Sequence, residues 1–218
     1  MKLLAKFATA AGLTAVASPA LAHHPLAGAP METMVHGMLS GVGHPILGFD
    51  HLAFVVLVGI AAAFTGQTLK APLGYVGGML LGCLLMMAGV ALPFTEVVIG
   101  ASLLVMGYLV LSGRQMSMQT VLLAFGAFGL FHGTAFGESI VGQEAGYGFG
   151  VAFGYLLGLG VAQYLIAIFA GFIMTKVAKT TEVTAVEARL AGAVIAGIGL
   201  FLTLENAEGA AFAALALA

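Results

Sequence analysis

Six apolar runs divide the chain, at residues 45–64, 73–92, 97–112, 120–136, 149–175 and 188–204, and short segments holding nearly all the charge separate them. A helix crosses the hydrocarbon core of a bilayer with about 20 mostly apolar residues. The pattern therefore predicts an all-α integral membrane bundle of six transmembrane helices, filling residues 45–205. Ahead of it, Met31, Met34, Val35 and Met38 recur at helical spacing, which predicts a short amphipathic helix over 31–39 on the outer membrane surface, within an N-terminal segment 23–44. The tail 206–218 is apolar but too short to cross again, and an interfacial or disordered end is expected.

The first 22 residues follow a different pattern. Lys2 and Lys6 make a basic start, Phe7 to Val16 a short apolar stretch, and Ala20-Leu21-Ala22 a small-x-small cleavage site, which together predict a cleavable signal peptide. Cleavage would leave His23 as the new N-terminus. After the signal, every basic residue falls in or beside one alternating set of loops: Lys70, Arg114, Lys176, Lys179 and Arg189. The positive-inside rule puts that set in the cytoplasm. An exported N-terminus and an even number of spans agree with this, so a multi-pass protein of the bacterial inner membrane with both mature termini in the periplasm is expected.

Composition adds weight to a lipid setting: 61% of residues are hydrophobic and 7% charged. Small residues let membrane helices approach closely. Among the 32 glycines, Gly74, Gly78 and Gly82, and likewise Gly154 and Gly158, have the four-residue spacing this requires. The expected partner is the bilayer, and the chain is compatible with a homo-oligomer. A net charge of -2 without a basic cluster gives nucleic acid no footprint. The lone Cys83 rules out an internal disulfide and a thiolate cluster.

The candidate chemistry lies in His44-Pro45-Ile46-Leu47-Gly48-Phe49-Asp50-His51, which runs straight into the first apolar stretch. Ionisable groups at membrane depth are costly and point to function. Imidazole and carboxylate together suit nickel, cobalt or zinc better than calcium, which prefers oxygen alone, or copper(I), which prefers sulfur. His23, His24, His36, His44 and His51 precede or open the first span, and His132 lies near the exit of the fourth, so all six histidines belong to the outer half. With a rise of ~1.5 Å per residue, His51 and His132 reach similar depths. Glu138 supplies a second carboxylate. His44, Asp50, His51, His132 and Glu138 thus form the candidate metal constellation, with His36 above it and His23 and His24 as a tethered lure. Asp50 and His51 are adjacent and point about 100° apart on a regular helix, so one of them is expected to orient the ligands rather than join them. Deeper in the fifth span, the amide of Gln163 can line the path of a passing ion. Methionines such as Met79, Met86 and Met106 read as flexible core filler rather than a thioether track.

The run from His44 through Gly48 to Asp50-His51, followed by Val58-Gly59 and by Phe131-His132-Gly133-x-Ala135-x-Gly137-Glu138, resembles the HupE/UreJ family of small membrane proteins. The resemblance covers most of the mature chain. It implies nickel or cobalt uptake by a protein often encoded beside hydrogenase or urease genes; zinc and copper are the less expected cargo. It also implies that His44, Asp50, His51, His132 and Glu138 are metal residues and that His36 matches a less constant histidine. A further histidine expected in the fifth span is replaced here by Ala167, with Gln163 one turn earlier.

Three functional classes fit these residues: a divalent-metal permease driven without a nucleotide-binding loop, a metal-binding accessory protein or receptor, and an intramembrane hydrolase. The last would pair Ser102 with His132 in the manner of rhomboid proteases, but Gly100-Ala101-Ser102-Leu103 lacks a glycine after the serine and His132 lies on the wrong following helix for that pattern. The chain is therefore expected to be a permease and not an enzyme, with no permanently bound cofactor and a transported divalent ion as cargo.

Overall fold

A computed structural model of the chain describes residues 30–142, 147–180 and 182–216. Within them the fold is all helical: α1 (Met34–Leu47), α2 (Phe49–Ala63), α3 (Ala71–Met87), α4 (Thr95–Leu111), α5 (Met118–Val141), α6 (Phe149–Phe172) and α7 (Val186–Ala216), with a π-helical turn Ile173–Val177 ending α6. The signal peptide and its neighbours His23 and His24 lie outside the described residues. α5, α6 with its π turn, and α7 are each long and apolar enough to cross a membrane. α1 and α2 pass that test only as a pair, bent by 82° at the break between them, the geometry of a broken span or a re-entrant loop. α3 and α4, at 17 residues each, are shorter apolar helices. Three spans, or four with the bent pair, thus stand on length and composition, against the six predicted.

Glycine faces decide which helices pair. A Cβ on Gly78 would lie 2.2 Å from the Gly126 carbonyl, and one on Gly82 2.0 Å from that of Leu130, so α3 and α5 run side by side in the same direction with backbones in contact. Gly154 and Gly158 of α6 meet the carbonyls of Met34 and Met38 in the same way, at 2.1 and 2.3 Å. α1 therefore lies along the first half of α6, and α2 follows it, with Gly59 against Ala167. α4 pairs antiparallel with α7, Gly107 against Ala196 and Gly199 against Leu104.

Several predicted boundaries are corrected. The surface helix over 31–39 and the span beginning at Pro45 are replaced by α1, which continues through Pro45 and breaks at Gly48. Gly37 and Gly41 make this possible, because their bare faces let α1 sit on the α6 backbone. α3 ends at Met87 instead of 92: Gly89 has φ +83, its N–H bonds to Met86 O, and Val90 N–H reaches back to Leu85 O at 2.8 Å, a glycine-terminated helix end. α5 runs on to Val141, so Glu138 lies in its last turn rather than in a loop. Residues 206–216 of the expected tail are helical and continue α7 rather than being disordered, because alanines 207, 210, 211, 213 and 214 are strong helix formers and no proline interrupts them.

The loops expected to share one side do meet at one end of the bundle. Gln115 Nε2 donates to Phe64 O at 3.4 Å, Tyr164 OH to Leu69 O at 3.1 Å and Arg189 Nε to Leu111 O at 2.9 Å.

Candidate metal-capture site

The break between α1 and α2 opens the site. A proline cannot donate to the helix ladder, and Gly48 adopts an extended conformation (φ -79°, ψ 101°) immediately after Leu47. Its missing side chain is needed as well, since a Cβ there would lie 2.8 Å from Cδ2 of His51 and 3.3 Å from the carbonyl of His44. The turn thereby brings His44, at the end of α1, and His51, in the first turn of α2, to a ring-centroid separation of 6.0 Å.

His132 of α5 completes a buried imidazole group. Its Nδ1 lies 3.0 Å from Nδ1 of His51, and its Nε2 lies 3.0 Å from Oγ of Ser102 on α4. Ser102 in turn donates to Ile99 O at 2.7 Å. His44 Nδ1 is 3.3 Å from the hydroxyl of Tyr155, which donates to Phe136 O at 2.8 Å. An aromatic frame holds the rings. Phe54 stacks on His132 at 4.4 Å, and Phe136 lies 4.3 Å from His51 and 5.1 Å from His44. All three histidines are buried, His132 completely.

Asp50 is the half-buried member. Its Oδ2 lies 3.9 Å from His51 Nε2 although the two residues are adjacent. The 100° offset of a regular helix still leaves these two atoms 3.9 Å apart. Glu138 is exposed in the last turn of α5. A third acid joins them: Glu96, at the second position of α4, lies close enough to Asp50 and Glu138 for the charges of both to act on it. Glu96 is not among the residues singled out from the sequence; its one signal there is an acid in the first turn of an apolar helix.

Other candidates stand apart. His36 lies in the first turn of α1, where its N–H donates to Oγ1 of the capping Thr33 and its Nδ1 accepts from the Glu32 N–H, two turns or about 12 Å along the helix from His44. Gln163 lies two turns beyond Tyr155 on α6. It is fully buried, accepts from Tyr75 OH at 2.5 Å, and its Nε2 has no hydrogen-bond partner among the described residues. Tyr75 links it to the histidines, with a ring 6.0 Å from that of His132. Ala167 is buried one turn further on. Among the described residues no three His, Cys, Asp or Glu side chains are placed to hold one ion together. The cluster offers a pair, Asp50 with His51, and a hydrogen-bonded backing behind it.

Ser102 and His132 do meet, although their helices are not placed as the protease pattern requires. Ser102 is wholly buried and its proton is committed to Ile99 O.

The model of the HupE / UreJ protein family matches residues 11–202. The chain belongs to the HupE/UreJ family. Protein HupE of Rhizobium leguminosarum bv. viciae is 29% identical over 188 residues, covering 83% of this chain and 95% of that protein. No solved structure matches. The two segments that carried the resemblance, His44 to His51 and Phe131 to Glu138, are the two that meet through the contact of His51 with His132.

Proposed function

We propose that this HupE/UreJ protein is a secondary uptake permease for a divalent transition metal, nickel or cobalt, which enters from the outer side at the break between α1 and α2. The observation that carries the reading is the Asp50–His51 pair, whose Oδ2 and Nε2 stand 3.9 Å apart at the mouth of a buried imidazole group. Ligand bonds of about 2.0–2.2 Å to each atom would span that gap. One nitrogen, one carboxylate oxygen and water in the remaining positions make a site weak enough to pass its cargo on, as conduction requires. Glu96 and Glu138 supply negative charge at the rim, and Tyr75 with Gln163 offers polar groups on the inward side. Broken helices around a cation site recur in transporters because freed backbone is tolerated where it lines a cavity.

In this reading the bent pair, α3, α4, α5, α6 and α7 make six crossings, and the end where Phe64, Leu69, Leu111 and Arg189 gather faces the cytoplasm. His23 and His24 concentrate metal outside. The purified protein in sealed vesicles is expected to accumulate radioactive nickel or cobalt down an imposed gradient. Vesicles that bind the ion at the surface without accumulating it would make the chain a metal-binding accessory protein instead.

A further inference from the structure

We infer that Ser102, acting through His132, is a positioning residue that determines which nitrogen of His51 faces the cargo, so that His132 backs a ligand rather than being one. The inference rests on the capture site proposed above, and its physical core is the direction of three hydrogen bonds. A serine hydroxyl has one proton. Ile99 O can only accept, and Ser102 Oγ lies 2.7 Å from it, so the proton lies in that bond. Oγ then offers only lone pairs to His132 Nε2 at 3.0 Å, and Nε2 must carry the ring hydrogen. A neutral imidazole has one ring N–H, so Nδ1 of His132 is an acceptor. The 3.0 Å contact between the two Nδ1 atoms holds one proton, which therefore comes from His51. In a neutral His51, which carries one ring N–H, the lone pair is then on Nε2.

That nitrogen is the one turned toward Asp50, and the distance agrees with the assignment. An N–H facing a carboxylate would close to a charge-assisted bond of about 2.7–2.9 Å. Oδ2 stands at 3.9 Å, as expected of a lone pair facing a carboxylate, and at a separation that one ion can bridge. When His51 binds through Nε2, its Nδ1–H becomes a stronger donor, and His132 stands behind it as the acceptor that orients a metal-bound histidine. Without the Ser102 hydroxyl, His132 Nε2 would face apolar surroundings. Its proton would move to Nδ1, His51 would become protonated on Nε2, and that N–H would bond to Asp50 and close the pair against metal.

The test is histidine-selective 15N NMR of the metal-free full chain in lipid nanodiscs, with His51 assigned by its loss in H51Q, followed by nickel titration. Wild type is expected to show His51 protonated on Nδ1 and bare on Nε2. S102A should reverse that pattern and weaken nickel binding about 10- to 100-fold, and S102T, which keeps the hydroxyl, should restore both. A wild-type His51 protonated on Nε2 overturns the proposal, and so does an unchanged pattern in S102A. The expected pattern in a protein that binds no nickel supports the relay while removing the capture site it was argued to serve.

Discussion

At the scale of single residues, the division of labour between Asp50, His51 and the groups around them makes definite demands. Asp50→Ala and His51→Ala each remove one side of the 3.9 Å pair and should lower nickel uptake by at least about tenfold, the range for lost coordination support. One alanine in an apolar helix barely changes insertion. Uptake normalised to the amount of protein in the membrane checks this, and undiminished uptake by both variants would make the motif structural. Glu96→Gln should act differently. It removes charge near Asp50 and Glu138 without touching the pair, so uptake should fall at scarce metal and recover at high metal. Equal loss at saturating metal would place Glu96 among the ligands. Much of this site was legible in the chain, because ionisable residues in an apolar run stand out whatever the fold. Which atoms meet was not, since the contacts join residues separated by 30, 81 and 111 positions.

Among the elements, the broken span is the feature on which the site's geometry depends. A methyl group at Gly48 would press within 2.8 Å of the His51 ring, so Gly48→Ala should displace His51 and reduce uptake while the protein still inserts. Gly41→Val tests the other half of the arrangement. Its Cβ would lie 2.2 Å from the Tyr155 carbonyl, forcing α1 off α6 at a cost of about 1–3 kcal/mol and carrying His44 away from the Tyr155 hydroxyl. Lower thermal stability in detergent together with lost uptake is the expected result, and a variant as stable and active as wild type would show that α1 need not lie on α6. Hydrophobic periodicity located the later helices to within a few residues at most ends. It misplaced the first because it registers apolar length, not direction, and Pro45 and Gly48 can equally open a helix or break one. The helix end at Gly89 follows from local backbone geometry that an apolar count overlooks.

For the whole molecule, the proposed six-crossing topology predicts which side each end of the bundle faces. In a Cys83→Ser background, cysteines at Arg114 and Glu182 should react with an impermeant thiol reagent only from the cytoplasmic side, and one at Glu138 only from the outside. Labelling of all three from one side would refute the orientation. The sequence by itself determined that the chain is helical and apolar enough for lipid, that its basic residues belong to one set of loops, and that imidazole and carboxylate groups cluster near the start of one apolar run and the end of another. These follow from composition and short-range pattern, which lipid and helix geometry act on directly. Only the tertiary structure decided that α1 lies along α6, that α2 turns away by 82° at Gly48, and that Ser102 of α4 stands behind His132. Those choices depend on which glycine face finds which backbone across the bundle, a matter of close packing between distant segments that no local pattern encodes.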